Sequence, residues 1–177
     1  LIMKGLGWFI YFWQVDISRY PKCGEEIIVG TFAYEDRGSS EERNFYIKTV
    51  RDDIIVRANS VWSLVDLAKL QIMRIPNEVM DRNRKRNEDK LDMEYLGRRI
   101  RYSGECNIRK VGEHIVSRLE LDSNRHLNNS EYIKIALATI ADFNPSSVTR
   151  LCIEYRKQAV EGDLLNIFLA REDEMII

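Results

Sequence analysis

Hydrophobic and polar positions alternate through most of the first seventy residues. From Trp8 to Arg19 both alternating sets begin apolar; after Trp13, Val15 and Ile17 stay apolar while Gln14, Asp16 and Ser18 turn polar, as in a strand leaving a core. Glu26 to Tyr34 is rich in Ile, Val, Thr and Phe, which suit a pleated, half-buried surface. Arg43 to Val50 sets Phe45, Ile47 and Thr49 against Asn44, Tyr46 and Lys48. Ile54 to Leu67 puts Val56, Ala58, Ser60, Trp62 and Leu64 on one face. Turns at Tyr20-Pro21-Lys22-Cys23-Gly24, Asp36-Arg37-Gly38-Ser39-Ser40 and Arg51-Asp52-Asp53 separate these runs. The pattern predicts an antiparallel meander of four strands.

The pattern changes after Ile75-Pro76. Residues 77–95 are charge-dense and read as a linker with room for a short helix. Within it Arg82, Arg84, Lys85 and Arg86 form the one local basic cluster, a solvated face or a docking patch for an acidic partner. Asn107 to Glu120 reads as a strand with a bend at Gly112. Tyr132, Ile133, Ile135, Ala136, Leu137, Ile140 and Phe143 then recur with helical spacing, and Pro145 stops the helix. Val148 to Gln158 and Leu164 to Arg171 are two more strands around the turn Glu161-Gly162-Asp163. The class predicted is α+β with mostly antiparallel sheet.

Composition narrows the function classes. The 177 residues are 45% hydrophobic and 31% charged, enough apolar material for a sizeable core. With 27 basic and 28 acidic residues the net charge is −1, so nothing favours nucleic acid as a partner. No apolar run approaches the roughly 18 residues of a membrane helix, and no signal peptide is evident. Cys23, Cys106 and Cys152 are scattered and lack CxxC spacing, which argues against a disulfide scaffold or zinc site and fits a reducing cytoplasm. No metal or cofactor is expected.

The chemistry concentrates in Leu121-Asp122-Ser123-Asn124-Arg125-His126-Leu127-Asn128-Asn129-Ser130-Glu131-Tyr132. A carboxylate, an amide and an imidazole stand at every second position. Asp122, Asn124 and His126 share a face if the segment is extended. Asn128 can cap the following helix, with Glu131 reaching back as a capping box. Unpaired N–H groups at such a helix start favour an anion. Asp and Asn are also ordinary turn and cap residues.

Over nearly its whole length the chain resembles the acyl-carrier-protein thioesterases of fatty-acid synthesis. The resemblance is carried by Arg19-Tyr20-Pro21, Gly24-Glu25, Thr31, Arg43, Phe45, Ala58, Ser60, Trp62, Asp66 and Arg74-Ile75-Pro76. It continues in Asp122-x-Asn124-x-His126-x-Asn128-Asn129-x-x-Tyr132 and Glu154-Tyr155-Arg156. It implies a double hotdog, in which an antiparallel sheet wraps a long helix twice in one chain. The expected division is a first repeat over residues 1–76 lacking its opening strand and helix, a charged linker over 77–106, and a catalytic second repeat over 107–177 lacking its last strands. A sheet without its helix would leave an apolar face to cover; by analogy with other hotdog proteins, a homodimer is expected.

The resemblance implies hydrolysis of fatty acyl-acyl carrier protein, with Asp122, Asn124 and His126 as the catalytic set. Asp122 would attack the thioester or activate water, Asn124 orient the water or a neighbouring side chain, and His126 shuttle a proton or polarise the carbonyl. Backbone N–H groups near Asn128 and Asn129 would complete an oxyanion site. Plant members carry Glu-Cys where this chain has Gln158-Ala159. Gln158 cannot be a base, so it enters only as a supporting water-positioning residue. His114, in a plain strand context, has a structural reading. Trp8, Phe12, Trp13, Phe32, Phe45, Trp62 and Leu64 are acyl-pocket candidates, although aromatic strand residues are commonly core. Arg82, Arg84, Lys85, Arg86, Arg98, Arg99 and Arg101 are candidates for docking an acidic carrier protein. The rival functions are an acyl-CoA hotdog thioesterase, a non-catalytic acyl-binding module, and a dehydratase-like hotdog.

Overall fold

The structure is a computed structural model that describes residues 5–84, 89–101, 106–141, 143–172 and 175–177. The four expected strands are β1 (Leu6–Ile17), β2 (Ile27–Arg37), β3 (Ser40–Thr49) and β4 (Ile54–Asp66). A two-residue strand, β5 (Gln71–Ile72), follows on β4, and a short helix, α1 (Asn77–Arg84), stands where the linker had room for one. Further on come β6 (Arg109–Ile115), α2 (Asn129–Ala138), β7 (Arg150–Glu154) and β8 (Leu164–Leu169). The chain divides into two compact units, one of Leu1–Ile100 with Ser146–Tyr155, the other of Arg101–Pro145 with Arg156–Ile177. Strand β7 thus belongs to the first unit, as an edge strand beside β1 in the order β2-β3-β4-β1-β7.

Register explains the faces of the first unit's sheet. Trp13 pairs with Ser60, Phe45 with Ala58 and Ile10 with Trp62, so Trp8, Trp13, Phe45, Trp62 and Leu64 share the apolar face. The Trp13 and Phe45 rings lie 4.7 Å apart. A bulge between Ile10 and Phe12 shifts the alternation and sends Phe12 to the opposite face, where Phe32 also lies through its pairing with Asn44. The seven acyl-pocket candidates are therefore split between two faces rather than lining one. Leu64, Ile75 and Met80 form a buried cluster on which Trp8 packs.

The second face mixes buried Phe12, Phe32 and Val61 with polar side chains, and part of the expected linker covers it. Gln14 and Asn44 are fully buried. Gln14 donates to the Glu94 carbonyl at 2.7 Å and accepts from the Leu96 N–H at 3.0 Å. Asn44 accepts from the Leu91 N–H and the Tyr95 hydroxyl, each at 3.0 Å. Arg98 forms an ion pair with Glu42 and donates to Ser40 and Tyr11. Residues 91–100 are thus a strap pinned to the sheet where side chains take the Leu91 and Leu96 N–H groups and the Glu94 carbonyl, as buried backbone polar groups require. This corrects Arg98 as a docking cation: its charge is spent inside the unit. Arg99 and Arg101 remain exposed, Arg82 and Arg84 lie on α1, and Lys85 and Arg86 fall outside the described residues.

The Arg19-Tyr20-Pro21 and Gly24-Glu25 matches meet in one turn. Arg19 grips Glu25 at 2.5 Å, and the Lys22 N–H donates to the same carboxylate at 2.8 Å. The Arg19 hydrogen bond, then the Lys22 backbone bond, lower the Glu25 pKa from 4.5 to about 2. A carboxyl whose pKa is depressed on folding contributes stability above its unfolded pKa and loses it as pH falls through the folded one. Carboxyl NMR titration should place the Glu25 midpoint near 2; an ordinary glutamate midpoint would contradict the pairing.

Candidate active site

The second unit carries the Asp122 segment on a small framework. Strand β6 pairs antiparallel with β8, with a bulge between Lys110 and Gly112 where a bend was expected. The chain then leaves strand geometry before Glu120, because a 3₁₀ turn over Arg118–Glu120 is held by reciprocal capping between Ser117 and Glu120. His114 pairs with Glu120 at 2.9 Å, and Glu120 is held below the usual carboxylate range by the Ser117 N–H first and by His114 second. His114 thus braces the approach to the loop.

The loop itself is not extended. Leu121 bridges Leu127, and the Asp122 N–H donates to the His126 carbonyl at 2.8 Å. Asp122 Oδ1 accepts from the backbone N–H of Asn124 at 2.8 Å and of His126 at 3.1 Å. Residues 123–124 form a turn, and Arg125 reverses the chain at φ +62°. The local competition of an Asp side chain for backbone N–H groups overrides the alternation expected of a strand. A non-glycine residue in this region costs of order 1–3 kcal/mol, which the surrounding hydrogen bonds offset.

The backbone of the loop is committed while its chemical side chains are not. Among the described residues, Asp122 Oδ2, the Asn124 amide and the His126 ring have no hydrogen-bond partner. Asp122 lines a depression of about 370 Å³ with Arg118, Leu121, Arg125 and Glu161. Arg118 and Arg125 make no ion pair among the described residues, and neither they nor Glu161 stood out in the sequence.

Helix α2 starts where its cap predicts but is built differently. Asn128 Oδ1 accepts from the Ser130 N–H at 3.0 Å, whereas Glu131 turns to Lys134 at 2.6 Å instead of closing a capping box. The Asn128 N–H donates to the Glu120 carbonyl at 2.9 Å, so that donor is occupied. The helix ends at Ala138, short of Phe143, because the Thr139 hydroxyl and N–H both turn back on the Ala136 carbonyl. Tyr132 and Ile135 pack on buried Val116, Leu127 and Ala159.

Gln158 is brought alongside this loop. His126 bridges Val160, and the Leu127 N–H donates to the Ala159 carbonyl at 2.8 Å, so exposed Gln158 sits one residue before the contact. Ala159 is buried.

Comparison with known proteins accords with this architecture. The family described as acyl-ACP thioesterase N-terminal domain matches residues 1–82, and the acyl-ACP thioesterase C-terminal domain matches residues 105–176. A chloroplastic acyl-[acyl-carrier-protein] hydrolase of Cuphea viscosissima is 25% identical over 177 residues, covering 96% of this chain and 42% of the relative. A chloroplastic palmitoyl-acyl carrier protein thioesterase of Gossypium hirsutum is 25% identical over 172 residues, covering 92% of this chain and 40% of the relative. The chain thus spans less than half the length of these curated relatives. Among solved structures, an acyl-ACP thioesterase from Bacteroides thetaiotaomicron superposes with a TM-score of 0.82 at 19% identity, over 96% of this chain and 68% of the other. A 12:0-ACP thioesterase from Umbellularia californica gives 0.74 at 20%, over 94% and 65%. The sheet-dominated architecture and these superpositions give the chain a hotdog fold. With both domains of one family matched in order along it, the chain belongs to the acyl-ACP thioesterase family.

Proposed function

We propose that the chain hydrolyses fatty acyl-acyl carrier protein, releasing the fatty acid and the carrier thiol. The observation that carries this is the Asp122 loop: its backbone is tied down by hydrogen bonds, while Asp122 Oδ2, the Asn124 amide and the His126 ring have no partner among the described residues. A site held rigid by backbone bonds loses little in reorganisation as charge develops on the substrate. Asp122 Oδ2 either takes the proton of an attacking water or itself attacks the thioester carbon. Asn124 orients the water, and His126 delivers a proton to the departing thiolate. A single turnover in H₂¹⁸O separates the two routes for Asp122, since only direct attack passes through an acyl-enzyme anhydride whose hydrolysis can leave label in the Asp122 carboxylate.

The part of the apolar face bearing Trp13, Phe45 and Trp62, which lies outside the buried Leu64 cluster, is the surface suited to the acyl chain, and Arg99 and Arg101 are exposed cations suited to an acidic carrier. The relatives' names, which specify acyl carrier protein, support the same handle. No helix among the described residues is long and apolar enough to cross a membrane. A cytoplasmic setting, which suits three free cysteines, is part of this proposal. Gln158, where plant members carry Glu, favours a second reading as a non-catalytic acyl-binding module. The test is kcat/KM for one acyl chain presented on carrier protein and on CoA. Preference for the carrier is expected; preference for CoA would overturn the handle, and tight binding of both without release would favour the binding module.

A further inference from the structure

The Tyr132 hydroxyl occupies an unusual place for a residue on the apolar stripe of α2. It accepts from the Ala159 N–H at 3.0 Å and lies 3.4 Å from the Lys157 carbonyl, to which it donates. These two groups flank Gln158 on either side. We propose that Tyr132 is a positioning residue whose hydroxyl braces the backbone on both sides of Gln158 and so fixes where that side chain emerges beside the Asp122 loop. The inference rests on reading that loop as the thioester-hydrolysing site.

The surrounding hydrogen bonds point the same way. Residues that face each other in an antiparallel ladder can exchange two backbone bonds. Ala159 gives its carbonyl to the Leu127 N–H but directs its own N–H to the phenol. The phenol therefore ties the Gln158 segment to the helix whose cap, Asn128, ends the loop. A neutral phenol both donates and accepts, and burial raises the Tyr132 pKa, keeping it neutral at ordinary pH. Buried Ala159 and Leu127 lie in the same apolar cluster as the Tyr132 ring, which fixes the ring's direction. A Gln held this way can orient a water through its amide although it cannot be a base.

The test is a double-mutant cycle on the full chain with acyl-carrier protein as substrate. Removing one such hydroxyl should lower kcat roughly tenfold, with KM within about twofold, in Tyr132→Phe. If the hydroxyl acts through Gln158, that loss should shrink below about twofold in a Gln158→Ala background. A loss of the same size in both backgrounds would overturn the proposal, since a merely structural role persists without Gln158. Amide exchange at Ala159 is followed in parallel and should accelerate in Tyr132→Phe; unchanged exchange overturns the brace whatever the activity. Wild-type protein that binds substrate without turnover would overturn the hydrolytic reading and with it the catalytic use of Gln158. That failure is distinguishable, because Ala159 exchange would still respond to Tyr132→Phe.

Discussion

Asp122→Asn is expected to lower kcat for acyl thioester hydrolysis by about 10²–10⁴-fold while folding like the parent. The expectation follows from the separate duties of the two carboxylate oxygens. Oδ1 accepts the Asn124 and His126 N–H groups and shapes the loop, and an asparagine oxygen can accept the same two bonds, though more weakly. Oδ2 has no partner among the described residues, and in the variant an NH₂ that can neither take a proton nor attack stands there. Asp122→Ala should lose the same activity and also leave two loop N–H groups, one exposed and one part-buried, without their protein acceptor, at a cost of about 0.5–1.5 kcal/mol. Steady-state kinetics with thermal melts separates the variants: an inactive, stable Asn protein and an inactive, less stable Ala protein. Near-parental turnover by Asp122→Asn would remove Asp122 from the chemistry.

The largest effect on stability is expected from Asn44→Ala. Asn44 is fully buried and holds the Leu91 N–H, the Tyr95 hydroxyl and the Ala58 carbonyl at once. Truncation strands the Leu91 N–H and leaves the Tyr95 hydroxyl only the Leu91 carbonyl, in a buried setting, at about 2–4 kcal/mol. For a chain of this length that lowers Tm by roughly 5–15 °C. Limited proteolysis should shift to residues 89–101, because the strap is held through these side-chain contacts. A Tm within a degree of the parent, with the strap still protected, would show that its backbone is satisfied by other means.

The four-strand meander was legible because runs rich in β-branched and aromatic residues, alternating in β3 and in the second half of β1, are separated by clear turn residues. The bulge at Ile10 and Phe12 was not, since an inserted residue is invisible to composition yet moves Phe12 across the sheet. Arg98 read as a free cation because charge density alone does not reveal a partner fifty-six residues away in sequence. The strap escaped notice for a related reason: Gln14 and Asn44 occupy polar positions on strands that looked solvent-facing, whereas the structure buries them against backbone.

The loop shows the limits of spacing more sharply. The positions of Asp122, Asn124 and His126 identified the residue types that carry the chemistry. They would share a face only in an extended segment; an Asp able to accept its neighbours' N–H groups closes a turn, the other reading its residue types allowed. Nothing in the Tyr132 spacing distinguishes it from Ile133 or Ile135 as a stripe residue; only its phenolic tip in a half-buried position hints at a second duty. Arg118 and Glu161 reach the Asp122 depression through the capping turn and the Gly162 turn, both of which are tertiary placements.

The most direct measurement is a single-turnover assay of thiol release from acyl-carrier protein, with excess wild-type chain and with Asp122→Asn, alongside binding of the same substrate. The account predicts that both proteins bind, that the wild type releases stoichiometric thiol and fatty acid, and that Asp122→Asn holds the thioester intact. Release at equal rates by both, or binding without release by the wild type, would contradict it.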